Sequence, residues 1–143
     1  MSFGFSVNDF VTCIQLARKV WQDCRDAPKD YLVVSNEVAS LQLVLSQVQE
    51  TIDGKELTAE KKDNLGIIVK GCSATLQELQ ALLKKRKSLG TQSRRTWDRL
   101  SWGKEQVDDI RQQVISNTDL LTSFNVGLVG YVSYRVPFAD VND

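Results

Sequence analysis

The sequence predicts a single all-α domain: an antiparallel, up-down-up-down four-helix bundle with a short extra helix before the last long helix. Apolar residues recur at helical spacing along almost the whole chain, and no strand-like alternation or internal repeat competes with that pattern. Proline occurs only at Pro28 and Pro137, so the long stretch between them lacks the strongest helix breaker. A length of 143 residues suits one hydrophobic core.

The first predicted helix spans about residues 6–26. Its main apolar line follows a 3-4-3-4-3 spacing through Val7, Phe10, Ile14, Ala17, Trp21 and Cys24. Four more apolar residues widen that line beyond what a helix of a small bundle needs: Val11, Cys13, Leu16 and Val20. We therefore expect this helix to have two apolar surfaces.

The second and third helices have clearer limits. The second begins in the turn at Pro28, ends at Asp53-Gly54, and carries a heptad line of Tyr31, Val34, Val38, Leu41, Leu45, Val48 and Ile52. The third begins at Thr58, a good N-cap, with Glu60 in the positive first turn. Its line is Leu65, Ile68, Cys72, Leu76, Leu79 and Leu83.

The last third of the chain is less regular. Residues 90–93 read as a loop, Trp97 and Leu100 suggest the short extra helix, and residues 101–103 suggest a break. The last long helix is predicted at about 104–128, with Asn117 and Thr118 interrupting the line Val107, Ile110, Val114, Leu121, Phe124 and Leu128. We thus predict a bundle domain at 1–130 and a C-terminal tail or the start of a linker at 131–143.

Charge is balanced overall but not along the chain. The formal net charge is zero, yet residues 84–104 hold eight basic side chains and one acid, Asp98. The candidate patch for anionic lipid or a partner protein is Lys84, Lys85, Arg86, Lys87, Arg94, Arg95 and Arg99. The alternative is a solvated helix end whose cations complement the helix dipole. No nucleic-acid motif accompanies the patch, so we expect no nucleic-acid partner.

Residue chemistry argues against catalysis. The chain has no histidine, and therefore lacks the commonest general base and metal ligand. It also lacks a P-loop and a dinucleotide-binding glycine pattern. Cys13, Cys24 and Cys72 are odd in number and widely spaced, which is typical of reduced, buried thiols in a cytosolic protein. We predict a protein that is not an enzyme and uses no metal or cofactor.

Five segments, taken together in order and spacing over about residues 1–126, resemble the N-terminal domain of fungal NLR-type (STAND) receptors and their ankyrin-bearing relatives. The segments are the opening MSFGFSVNDF at 1–10, Asp26-Ala27-Pro28, Ser35-x-Glu37-Val38-x-x-Leu41, Trp97-x-x-Leu100-x-Trp102, and Ile115-Ser116-Asn117-x-x-Leu120-Leu121-x-x-Phe124-Asn125.

That family is similar to the HeLo and HeLo-like cell-death domains, to the coiled-coil domains of plant immune receptors and to the helical bundle of the mixed-lineage-kinase-like necroptosis executioner. The resemblance implies a cytoplasmic bundle that stays idle until downstream domains of the same receptor oligomerise. Self-association then releases the first helix, which disrupts a membrane or seeds further assembly, with relocation to the plasma membrane.

The residues themselves permit membrane action by the first helix. About 20 residues span roughly 30 Å, enough to cross a hydrocarbon core, and Asp9 is the one charged residue among residues 1–17. The candidate membrane-active residues are Phe3, Phe5, Asp9, Phe10 and Leu16. Several copies would have to turn their polar edges together, because polar side chains are costly in lipid. Two alternatives stay open: the first helix is simply buried in the bundle, or the domain is a scaffold that pairs helices without membrane activity.

Overall fold

The computed structural model describes the backbone of residues 7–27, 31–89 and 102–141, and the side chains of 8–27, 31–85 and 106–129. Within these ranges it contains four α-helices and no strand: α1 (Val7–Arg25), α2 (Leu32–Ile52), α3 (Ala59–Leu89) and α4 (Trp102–Val141). The predicted four-helix bundle is confirmed. The up-down-up-down direction of the helices stays a prediction, and the short extra helix would lie outside the described residues.

Each helix packs closely against two others. α1 contacts α2 and α3, and α4 contacts the same two helices. α2 and α3 follow each other in the chain but are not a closely packed pair. The segment 53–58 between them therefore crosses the end of the bundle diagonally, and α1 and α4 occupy the other two corners.

Backbone geometry confirms the predicted end of α2 and the predicted start of α3, whereas α2 begins at Leu32 and Pro28, where we predicted its start, lies outside the described residues. The Asp53 N–H donates to the Gln49 carbonyl at 3.0 Å, and Gly54 follows in the left-handed region with φ +71°. At the start of α3, the Lys61 N–H donates to Thr58 Oγ1 at 3.2 Å, as an N-cap requires. The six residues 53–58 therefore connect α2 to α3 across the end of the bundle.

One continuous core joins all four helices. α2 supplies most of the residues that its heptad line predicts: Tyr31, Val34, Val38, Leu41, Leu45 and Val48 are all buried, and Ile52 at its end is partly buried. α3 supplies Leu65, Val69, Cys72, Leu76, Leu79 and Leu83. The buried part of α4 is Val107, Ile110, Val114, Leu121 and Leu128. The core is therefore rich in leucine and valine and extends along the whole bundle.

Two inner lines differ by one position from the prediction. On α1, Cys13 and Val20 are fully buried, whereas Ile14 and Trp21 are only partly buried at the edge of the core. On α3, Val69 takes the innermost place that we assigned to Ile68. Both shifts have the same cause. Each helix packs against two neighbouring helices, so the residue that points between these two neighbours is fully buried, and the residues on either side of it are partly buried.

α4 is longer than the sequence predicts at both ends. The expected break at residues 101–103 is wrong for its last two positions, because Trp102 and Gly103 belong to the helix. The predicted helix end near residue 128 is wrong as well, since the helix continues to Val141, and the assignment of residues 131–143 to a tail or the start of a linker stays a prediction. The helix continues through Pro137, although proline has no N–H to donate to the backbone carbonyl four residues earlier.

Replacing Leu41 or Leu79 with aspartate should unfold the domain. Both side chains are 0% exposed, so the substitution removes leucine packing and places an unpaired carboxylate in the core, at a cost of roughly 4 kcal/mol or more. The matched control is Leu43→Asp on α2, because Leu43 is 60% exposed and its loss should change stability by only about 0.5 kcal/mol. Thermal melts followed by circular dichroism measure this; wild-type melting of both core variants would contradict the packing.

Candidate functional site

The candidate site is the seat of α1, the line along which the first helix meets α2 and α3. Its buried residues are Phe10, Cys13, Ala17, Val20 and Cys24. Only Phe10 is large, and the other four are small or medium-sized side chains. Small side chains allow α1 to approach its neighbours closely, but they remove less apolar surface from water than the leucines of α3 do.

The structure separates the predicted membrane-active residues into two groups. Phe10 is 1% exposed in the seat, and Asp9 is exposed beside the contact between α1 and α3. Leu16 is half-buried and packs against the core, so its predicted place away from the inner contacts needs correction. α1 touches two helices, and both of its flanks are therefore partly covered. Phe3 and Phe5 lie outside the described residues.

The outward face of α1 is polar and becomes basic toward its end. Its exposed side chains are Asn8, Asp9, Thr12, Gln15, Arg18, Lys19, Gln22 and Arg25. The Arg25 guanidinium lies 4.9 Å from the centroid of the Trp21 ring, a cation–π distance. α1 is thus an amphipathic helix with an apolar inner line and cations on the outer side of its second half.

An open groove of about 680 Å³ lies between α1 and α3. Asp9 and Thr12 line it from α1, and Asp63, Ile67, Lys70 and Ser73 line it from α3. Ile67 is 71% exposed at its edge. Solvent therefore reaches α1 on this side of its contact with α3.

The three cysteines belong to the packing of the seat. All are free and fully buried. Burial raises the pKa of Cys24 to about 12, with a smaller contribution from the Asp23 carboxylate. Burial also raises the pKa of Cys72 to about 12, and the nearby Cys13 adds to it. For Cys13, burial raises the pKa and a hydrogen bond with Ser73 partly opposes that rise. Thiols in this state are protonated at neutral pH, which confirms their predicted role as buried packing residues.

A polar cluster joins α3 to α4 opposite the seat. Thr75 is 5% exposed, and its Oγ1 accepts a hydrogen bond from Asn117 Nδ2 at 3.0 Å. The single hydroxyl proton of Thr75 lies within reach of the Gly71 carbonyl at 3.0 Å and of Gln113 Oε1 at 3.3 Å. The cluster explains why Asn117 interrupts the apolar line of α4.

An ion pair fixes α2 to α4. Arg111 Nε and Nη2 both lie 3.3 Å from Glu37 Oε1. Both side chains are partly covered, so solvent weakens the attraction without removing it. Neither this pair nor the Thr75 cluster was predicted. In the sequence, only the polar Asn117 within an apolar line indicated the Thr75 cluster. Nothing in the sequence indicated the Glu37–Arg111 pair, because 74 residues separate its two members.

The basic patch is described only at its beginning. Lys84 and Lys85 are exposed near the end of α3. The backbone of Arg86 and Lys87 continues the helix, but their side chains are outside the described set. Arg94, Arg95 and Arg99 also lie outside the described residues. Convergence of these cations on one surface therefore stays a prediction.

Three further observations bear on function. Among the described residues, no three or more histidine, cysteine, aspartate or glutamate side chains are grouped as a metal site would require. In the same part of the chain, no helix combines the length and apolar character needed to cross a membrane. No family model matches the chain, and searches of curated proteins and of solved structures find no similar protein.

Replacing Thr75 with valine should destabilise the bundle by about 1–2 kcal/mol. The change keeps the side-chain shape but removes the acceptor for Asn117 Nδ2 in a half-buried place. Thr122→Val is the matched control, because Thr122 is exposed and its hydroxyl bonds only the Thr118 carbonyl of its own helix at 2.8 Å. Denaturant unfolding measures both variants, and equal losses would show that the α3–α4 cluster adds nothing specific to stability.

Proposed function

We propose that the chain is the N-terminal signalling domain of an NLR-like immune or cell-death receptor. In this proposal, oligomerisation of the receptor releases α1, and the released helix disrupts a membrane. The single observation that carries the proposal is the composition of the seat, where the fully buried residues of α1 other than Phe10 are cysteine, alanine and valine, and Ile14, Leu16 and Trp21 add partly buried contacts at its edges. The resemblance of residues 1–126 to such receptor domains supports the same conclusion.

The seat makes α1 the less costly helix to detach when it is compared with α3. Each buried methylene group contributes about 0.8 kcal/mol. The inner line of α1 has one large side chain, Phe10, whereas that of α3 has four leucines. The buried thiols of α1 are protonated, so no charged contact holds them. A core of α2, α3 and α4 would keep most of its leucine packing after α1 left.

A released α1 has the pattern of a helix that lies in a membrane interface. Phe10, Ala17 and Val20 share the apolar side, while Arg18, Lys19 and Arg25 are exposed around the rest of the helix. Cations at an anionic lipid surface contribute about 1 kcal/mol each. Several copies delivered together would concentrate this effect at one place on the membrane.

The second candidate is a scaffold that joins copies or partners through helix faces and has no membrane activity. Exposed leucines on the outer side of α2 favour it, since Leu32 and Leu43 are 42% and 60% exposed. Both candidates require assembly of the bundle, and they differ in whether α1 reaches lipid.

A tetrameric coiled coil fused to the C-terminus of the chain provides the test. The forced tetramer should release dye from vesicles that contain phosphatidylserine. Arg18→Glu with Lys19→Glu should lower that release by at least roughly tenfold, because two attractive charges become repulsive. Both residues are exposed, so the melting temperature should be unchanged.

The matched control carries the same change of charge away from α1. Lys55→Glu with Lys62→Glu replaces two exposed lysines of the α2–α3 turn and α3, and it should leave dye release at the wild-type level. Equal loss of dye release in both double variants would mean that the change in net charge, and not its position on α1, causes the effect. Absence of leakage from the wild-type tetramer would refute membrane action by α1 and leave the scaffold as the function.

A further inference from the structure

Two buried cysteines lie where α1 meets α3, one on each helix. Cys13 and Cys72 are both 0% exposed and belong to the same core. The Cys13 thiol shares a hydrogen bond with the side chain of Ser73, and Ser73 directly follows Cys72 in the chain. The two cysteines therefore lie at the same level of the contact between the two helices.

The groove between α1 and α3 indicates the same placement. Thr12 and Ser73 line this groove from its two sides, and each of them is the sequence neighbour of one of the two cysteines. The groove is open to solvent and measures about 680 Å³, many times the roughly 30 Å³ of a water molecule. Hydrogen peroxide is little larger than water, so it can reach the surface beside the buried pair.

The geometry of packed helices suits a disulfide at this level. Packed helix axes are roughly 8–10 Å apart, and Cα atoms lie about 2.3 Å from each axis. Residues that face each other across a helix pair therefore have Cα atoms about 3.5–5.5 Å apart, which overlaps the roughly 4.4–6.8 Å found in disulfides. Cys24 is too distant to compete, because it lies eleven residues further along α1, about 16 Å along the helix axis.

We propose that Cys13 and Cys72 form a reversible disulfide that links α1 to α3, with hydrogen peroxide as the oxidant. One thiol transfers its proton and takes an oxygen atom from peroxide, which gives a sulfenic acid and one water molecule. The second thiol attacks that sulfur, so that the S–S bond forms and a second water molecule leaves. Two molecules of a reducing thiol reverse the reaction, because they become a disulfide and return both protons to the cysteines.

Partial opening of α1 sets the rate of this reaction. Burial raises the pKa of Cys72 to about 12 and also raises the pKa of Cys13, and a protonated thiol reacts poorly with peroxide. Water that enters when α1 begins to detach brings both pKa values back toward the ordinary range. Oxidation should therefore be slow in the closed bundle, and it should join the two helices when α1 starts to leave.

The disulfide would oppose the release of α1. It closes a loop of roughly 60 residues, which restricts the unfolded chain and should raise the melting temperature by roughly 10 °C. With its middle bonded to α3, α1 could no longer detach as a free helix. This regulatory role rests on the proposed function, whereas formation of the disulfide does not.

Mass spectrometry of the full chain after treatment with hydrogen peroxide tests the proposal. After unfolding and alkylation with N-ethylmaleimide, the oxidised chain should carry one label in place of three. Peptide mapping without reductant should show Cys13 joined to Cys72. The melting temperature should rise by roughly 10 °C, and dithiothreitol should reverse both changes. Cys24→Ala is the matched control on the same helix and should still form the disulfide, whereas Cys13→Ala should gain no stability from peroxide.

The other outcomes decide against the proposal. Three labels retained after prolonged oxidation would overturn it, and so would single oxidation to sulfinic acid, a bond to Cys24 or a bond between two chains. The wild-type peptide map gives this answer even if a variant folds poorly. In the fused tetramer, peroxide should suppress dye release, and Cys13→Ala should abolish that suppression. A disulfide in a tetramer that never leaks refutes membrane action by α1, whereas leakage without a disulfide refutes the link between α1 and α3.

Discussion

The bundle depends on one apolar core, to which each of the four helices contributes its line of buried residues. α2 and α3 supply most of its bulk, and Leu41, Leu45, Leu76 and Leu79 are 0% exposed. Because α2 and α3 occupy diagonal corners, each of them contacts both α1 and α4. Removing α1 therefore exposes one side of each leucine-rich helix, whereas their contacts with α4 remain. The release of α1 that we propose would leave these contacts of α4 in place.

Polar contacts then select one register from the many that apolar packing allows. Thr75 and Asn117 meet across α3 and α4, and Glu37 and Arg111 meet across α2 and α4. Each contact ties α4 to one of the two leucine-rich helices, and a shift of α4 by one turn would leave a half-buried polar group without its partner. α1 meets α3 through the hydrogen bond between Cys13 and Ser73, and its other fully buried residues are mostly small. Polar contacts therefore fix the position of α4 on both leucine-rich helices.

Sequence patterns predicted the parts of this structure that depend on local physics. The heptad line of α2 and the Thr58 cap are local features, and both are confirmed. The inner place of Cys13, the Glu37–Arg111 pair and the diagonal crossing depend on which helices become neighbours, and spacing along one helix does not contain that information. Pro137 misled the prediction for α4, because the helix continues through this residue to Val141. The functional site on α1 and the basic patch both remain predictions.

Native-state hydrogen exchange tests the central claim, that α1 is the helix most weakly held by the core. Amides in the middle of α1, such as those of Ala17 and Val20, should exchange through a partial opening that needs less free energy than the opening of Leu76 and Leu79 in α3. The difference should be at least about 1 kcal/mol, roughly the equivalent of one buried methylene group. Equal opening free energies in both helices, or slower exchange in α1, would contradict the account.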